Sequence, residues 1–327
     1  MTSVLVTGGA GYIESHVALA LIDAGWNPII LDNLVTGKRE LVPDGAQFIE
    51  GDIGDSALVE GTITKNNCRA VLHFAGSTVV PESVSDPLKY YGNNTCASRS
   101  LIQSAVTAGV DAMIFSSTAA VYGEPDELPI TETSPTLPIN PYGVSKLMTE
   151  WMLRDVAAAT SLRYAALRYF NVAGADPDGR SGQMTPEATH LIKVACETAC
   201  GTRDSITIYG DDYDTEDGTG VRDYIHVSDL ADAHVSTLEY LMDGGESTVM
   251  NCGYGRGYSV KQVIDMVAAV SGIEMPVQMG PRRPGDSGSV YAASDKIRNK
   301  LGWMPKHDDL ETIVASAYHW ERKISGG

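Results

Sequence analysis

The sequence predicts an α/β protein: a doubly wound, Rossmann-type parallel sheet with a smaller mixed α/β C-terminal domain. Three observations carry this expectation. Short β-branched or aliphatic runs alternate with helix-length segments through the first half, a glycine turn, "TGGAG", follows the first run, and after residue 180 the rhythm changes to longer loops and mixed elements. Strands separated by helices call for right-handed βαβ crossovers, which make the strands parallel and cover both faces of the sheet.

In order, the strand candidates are "SVLVTG", "PIILD", "AQFIEGD", "AVLHFAG", "DAMIFSS" and "LRYAALR". Helices are expected at roughly 228 to 243, 259 to 271 and 310 to 322, the second opened by Ser259 as N-cap. The acidic, glycine-bearing stretch "GDDYDTEDGTG" (210–220) reads as a surface hairpin or loop. At 327 residues the chain exceeds the usual domain size of about 100 to 200 residues. Two units are therefore expected, 1–180 and 181–327, with part of 223–255 returning to the first.

A net charge of −18 opposes binding to nucleic acid or to an anionic membrane surface, so any phosphate must be met by a focused local site. There is no basic-plus-apolar leader and no long uncharged apolar run, and the expectation is a cytoplasmic protein with no membrane span. The five cysteines are scattered, without CxxC or metal-spaced histidines, as reduced thiols would be. Cys196 and Cys200, four apart, read as helix packing, and no metal site is expected.

Gly8 and Gly11 lie directly after the first strand and before a helical pattern, the context in which backbone N–H groups at a helix start cradle a pyrophosphate. Asp32 ends the second strand about 20 residues on, where a carboxylate accepts hydrogen bonds from a ribose diol and repels a 2′-phosphate. NAD is thus favoured over NADP. Glu14 stands where the third glycine of such a turn lets the helix pack on the sheet, and its charge competes with a pyrophosphate for the positive helix end.

Tyr142 and Lys146 in "NPYGVSKLMTE" are four apart on a helix that Pro141 can begin, so both lie on one face. Upstream, "FSSTAAVYG" ends a strand in Ser116, Ser117 and Thr118, at the sheet edge where parallel sheets bind ligands. A tyrosine serves as base near neutrality only if its pKa falls by about 3 units, or about 4 kcal/mol, more than one exposed lysine supplies. Lys146 would need partial burial and a second cation, for which an oxidised nicotinamide is suited.

Taken together, "TGGAGY", "DNL" (32–34), "GDI" (51–53), "HFAG" (73–76), "SSTAAVYG", "NPYGVSK", "LRYFNVAGA" (167–175), "GTGVRDYIHVSDLADAH" (218–234) and "RRPGD" (282–286) resemble the UDP-glucose/UDP-galactose 4-epimerases of the extended short-chain dehydrogenase/reductase group, in order across nearly the whole chain. The resemblance implies an isomerase that keeps NAD bound in the first unit, grips the UDP of a UDP-sugar with the second, and works through a transient 4-keto sugar. On matching positions it makes Tyr142 the base, Thr118 a hydrogen-bond partner and relay for the 4-hydroxyl proton, and Lys146 the holder of the nicotinamide ribose. The implied cofactor contacts are Gly8, Gly11, Tyr12 and Ile13 at the turn and Asp32, Asn33, Asp52 and Ile53 at the adenosine side. Phe74, Ala75, Asn93, Ser116 and Tyr169 line the rest, with Tyr142 and Lys146.

For the substrate it implies Thr118, Tyr142, Asn171, Arg222, Arg283 and Asp286, the two arginines being suited to forked binding of a diphosphate. Tyr209 falls near the uracil position, and His190 and Leu191 fall along the sugar pocket. Val290, four after Asp286, stands where some relatives carry a bulky tyrosine, which leaves room for an N-acetylated sugar. Thr78 replaces a lysine and Lys193 a proline of many relatives, and both are expected to loosen binding. Ala119 and Ala120 occupy positions that are acidic in nucleotide-sugar dehydratases. Epimerisation of UDP-xylose or UDP-glucuronate, and a non-catalytic NAD or nucleotide-sugar binder, remain as alternatives. A homodimer through helices in 85–109 and 141–159 is the expected assembly.

Overall fold

The computed structural model describes residues 1–185, 188–283 and 287–326. Its centre is a sheet of seven strands: β1 (Ser3–Thr7), β2 (Asn27–Asp32), β3 (Gln47–Glu50), β4 (Cys68–His73), β5 (Ala112–Thr118), β6 (Arg163–Tyr169) and, entering later, Thr248–Cys252. All pairings are parallel, and the spatial order puts β1 beside β4, with β2 and β3 on one side and β5, β6 and Thr248–Cys252 on the other. The chain order reverses between β1 and β4. A crevice therefore opens at the carboxyl ends of those strands, the place where open parallel sheets bind ligands.

The six sequence-read strands lie where expected, and the inner ones are short apolar runs buried on both faces: Val4, Leu5, Val6, Val71, Leu72 and Ile114 are fully buried, whereas edge strand β3 is part-exposed. Helices α1 (Tyr12–Asp23), α2 (Ser56–Asn66), α3 (Val80–Ser85), α4 (Pro87–Tyr90), α5 (Ala97–Thr107) and α6 (Pro141–Ala159) cover the sheet. A π-helical turn, Tyr91–Cys96, joins α4 to α5.

Smaller sheets follow: β7 (Asn171–Ala173) pairs with β10 (Tyr224–His226), β8 (Ile206–Tyr209) with β13 (Val277–Gly280), and β9 (Val221–Arg222) lies between β12 (Tyr258–Ser259) and β14 (Ser289–Val290). The strand Thr248–Cys252 is β11. Helices α7 (Leu191–Ala199), α8 (Val227–Met242), α9 (Val260–Ser271), α10 (Asp295–Leu301) and α11 (Leu310–Ile324) complete the chain. Ser259 caps α9 in a reciprocal capping box with Gln262. The 210–220 stretch forms turns fastened by Asp217, which accepts from Thr219 and from the Ser259 hydroxyl. Among the described residues no helix is long and apolar enough to cross a membrane, and none of the His, Cys, Asp and Glu side chains form a group able to hold a metal ion.

Candidate active site

The glycine turn follows from its packing. Gly8 has φ +74°, and a β-carbon there would come within 2.8 Å of the Ala75 nitrogen. The turn can thus lie directly on the exit of β4, where Ala75 N–H donates to the Thr7 carbonyl at 3.1 Å. Gly11 is the N-cap of α1 and has no side chain to accept from the first-turn N–H groups of Tyr12, Ile13 and Glu14. Such a cradle fits a dinucleotide diphosphate: the backbone approaches closely and the first-turn N–H groups have no cap from Gly11. The Glu14 carboxylate lies over it, folded back against Gly11.

Asp32, at the end of β2, is buried, and its two oxygens accept from Ala10 N–H (3.0 Å) and Leu34 N–H (2.7 Å). It clamps the glycine turn to the exit of β2. Asn33 donates to Asp52 at 3.0 Å, Asp52 also accepts from Gly54 N–H, and Ile53 is buried beside them. Phe74 is buried with its ring centroid 4.9 Å from that of His234. Asn93, in the π-helical turn, donates to the Ser77 hydroxyl, and Thr78 is exposed next to it.

The reactive side chains converge from β5 and α6. Asn140 caps α6 by accepting from Gly143 N–H at 2.9 Å, and Pro141 occupies the first helical position. Tyr142 and Lys146 project from one face toward the end of β5. Burial holds the Tyr142 phenol above its ordinary pKa, against the opposing influence of the nearby Thr118 hydroxyl. Lys146 is buried, donates to the Ser116 carbonyl at 2.8 Å and lies 4.9 Å from the Phe115 ring centre. Burial lowers its pKa to about 8, against the pull of Glu14. Ser116 in turn shares a short hydrogen bond with the Tyr169 hydroxyl, and Tyr12 donates to the Gly174 carbonyl at 2.6 Å.

Sequence reasoning missed what braces α6. Glu150 lies four residues beyond Lys146 on the same stripe and is buried in a two-point ion pair with Arg168 of β6, with nitrogen-to-oxygen distances of 2.9 and 2.5 Å. Ser117 donates to Glu150, Arg168 donates to the Tyr122 hydroxyl at 2.9 Å, and Tyr122 donates to Asn251 of β11. The i, i+4, i+8 spacing of Tyr142, Lys146 and Glu150 was the available signal. Asp223 was missed as well: buried, it accepts from Tyr254, Gly255 and Ala292 N–H groups and so fixes the backbone that carries Arg222.

On the second side of the crevice, Asn171 opens β7 beside Tyr224, and Val290 of β14 is in register with Arg222 of β9. The Arg222 guanidinium donates to the Val221 carbonyl at 2.9 Å and to the Gly288 carbonyl at 3.3 Å. Tyr209 is 41% exposed, with the Arg283 guanidinium 4.7 Å from its ring centre. His190 is the N-cap residue of α7 and pairs with Gln183 at 3.0 Å; Leu191 begins that helix. Asp286 lies outside the described residues. Lys193 is buried and pairs with Glu321 of α11 and, at 3.4 Å, with Glu197, so it fastens α7 to α11.

Comparison with known proteins agrees with this arrangement. The model of the NAD dependent epimerase/dehydratase family matches residues 4–253. The chain is 58% identical over 321 residues to a UDP-glucose 4-epimerase of Azospirillum brasilense, covering 98% of this chain and 92% of that one. A crystal structure of UDP-glucose 4-epimerase from Brucella ovis in complex with NAD superposes with a TM-score of 0.95 at 45% identity, covering 98% and 99% of the two chains. The UDP-Glc/GlcNAc 4-epimerase of Campylobacter jejuni gives a TM-score of 0.86 at 46% identity, covering 99% and 100%.

Proposed function

Because the chain belongs to the NAD dependent epimerase/dehydratase family, we propose that it is a UDP-glucose 4-epimerase, an isomerase that interconverts UDP-glucose and UDP-galactose with bound NAD. The observation that carries this reading is the juxtaposition of Thr118 and Tyr142 beside buried Lys146, at the carboxyl edge of a parallel sheet and next to a glycine cradle. Non-catalytic binding would not require that constellation.

NAD, when bound, supplies the site that accepts a hydride from C4 of the sugar and returns it to the opposite face. Gly8, Gly11, Tyr12 and Ile13 would hold its diphosphate, Asp32, Asn33, Asp52 and Ile53 its adenosine side, and Phe74, Ala75, Asn93, Ser116, Lys146 and Tyr169 the remainder. Tyr142, deprotonated, takes the proton of the 4-hydroxyl and gives it back after the ring turns over. Thr118 orients that hydroxyl and passes the proton. The protein by itself raises the Tyr142 pKa, so the phenolate depends on the Lys146 ammonium and on positive charge brought by the ligands. Asn171, Tyr209, Arg222, Arg283 and Asp286 hold the UDP part, and His190, Leu191 and Val290 border the sugar. A firm hold on UDP with few fixed contacts to the sugar lets both faces of C4 be presented in turn.

Replacing Tyr142 by Phe is expected to lower UDP-galactose conversion by about 10² to 10⁴ while UDP binding, followed by calorimetry, persists. Equal turnover by mutant and parent would remove Tyr142 from the mechanism. A second reading rests on Val290: it packs against the cluster of Val121, Tyr122, Ile130 and Leu147 at a position where the resemblance places a bulky tyrosine in some relatives, and the smaller side chain would admit UDP-N-acetylhexosamines as substrates too. No turnover of UDP-GlcNAc under conditions that convert UDP-glucose would refute it. Ala119 and Ala120, in the short turn after β5, offer no carboxylate for dehydration. A homodimer is part of the proposal, since Val84, Leu88, Met148 and Trp151 on the neighbouring helices α3, α4 and α6 are all exposed, and sedimentation gives its mass. A cytoplasmic location accords with five unpaired cysteines.

A further inference from the structure

We propose that Glu14 is a built-in competitor of the dinucleotide: its carboxylate sits on the N–H donors at the start of α1 that the diphosphate needs, so binding has to expel or neutralise it. The inference rests on the NAD-dependent reading of the site.

The geometry begins with Gly11. As N-cap it offers no side-chain oxygen, and the first turn of α1 has no other capping bond. Glu14, third residue of the helix, folds its carboxylate back against the Gly11 α-carbon, where the Glu14 and Ile13 N–H groups favour its charged form. A β-carbon built on Gly11 would collide with this carboxylate, which places it on the N-terminal turn itself and not out along the helix. The same turn lies over the exit of β4 and carries Tyr12 and Ile13. One anion is thus already present where a doubly charged group would bind.

The groups around it set how readily it gives way. Asp32, across the turn at the end of β2, repels it; Lys146, from α6, attracts it; and the Tyr169 phenol of β6 faces it. Burial is the largest influence and lifts the Glu14 carboxyl from 4.5 to about 7. Near neutrality the site is therefore a mixture of charged and neutral forms. A diphosphate alongside favours the neutral carboxyl, so dinucleotide binding takes up a proton. Affinity is then constant below the free-state value near 7 and declines as pH rises through it. Lys146, lowered to about 8, adds a separate dependence only above that point.

The test uses the full chain and two variants, Glu14→Gln, which keeps the shape without the charge, and Glu14→Gly, which removes both. Each is equilibrated with NAD by dialysis at about pH 6 and about pH 8, and proton uptake is counted by calorimetry in buffers of different ionisation heat. The parent should bind NAD about tenfold more weakly at the higher pH, with proton uptake near neutrality. Both variants should lose that dependence and bind more tightly at the higher pH, the glycine variant most. Equal affinity and equal pH response in all three would overturn the inference while leaving the NAD-dependent reading intact. Failure of all three to bind NAD would overturn both.

Discussion

Two helices start at the carboxyl edge of the central sheet, and their first turns are completed in opposite ways. In α6 the fold itself satisfies the turn: Asn140 accepts from Gly143 N–H, Pro141 has no N–H to offer, and the Glu150–Arg168 pair pins the helix to β6. Tyr142 and Lys146 are thus side chains set on a finished support. In α1 the cap is a bare glycine, and the turn is finished by whichever anion is present, Glu14 or a ligand. The difference teaches that reactivity here is preorganised by the protein, whereas cofactor affinity is left to a contest at one helix end.

The comparison breaks most severely at the brace. Arg168→Met leaves Glu150 buried without its cation, and denaturant unfolding should show a loss of about 3 to 5 kcal/mol. A loss under 1 kcal/mol would mean that the pair does not hold α6. Next in size, Gly8→Ala puts a β-carbon against Ala75 in a left-handed conformation, and a cost of about 1 to 3 kcal/mol with weakened NAD retention is expected. Unchanged NAD content after desalting would contradict the close approach.

Asn140→Ala removes the α6 cap and should cost about 1 kcal/mol by thermal unfolding. The counterpart at α1 is a pH effect. The folded-state value of Glu14, about 7, lies above its ordinary 4.5, so the folded chain binds more protons between them and stability falls as pH rises across that window. Glu14→Gln should therefore gain on the parent from about pH 4.5 to 7 and then hold a constant lead, on the order of 1 kcal/mol after screening at this half-buried site. A lead that is flat across this window would remove Glu14 from the linkage.

Much of this was legible in the sequence because it is local. The strands are contiguous apolar runs, the Tyr142 and Lys146 spacing fixes a shared helix face, and Glu14 stands out against a glycine pattern. What escaped depends on distant partners. Glu150 lay on the legible stripe, but Arg168 meets it from another strand, and no spacing pairs Lys193 with Glu321. Nor did the sequence tell whether Glu14 turns to solvent or onto its own helix start. That choice follows from the glycine cap, which leaves donors unsatisfied, and from Lys146 arriving from α6. Asp32, read as a ribose ligand, also proves to be a backbone clamp, a role that only the folded turn reveals.

The central claim is tested most directly by incubating the purified chain with excess NAD and, separately, UDP-galactose or UDP-glucose, and following both by nuclear magnetic resonance. The account predicts that the two mixtures converge on the same ratio of UDP-glucose to UDP-galactose. Persistence of each starting sugar unchanged, with NAD demonstrably bound, would contradict it.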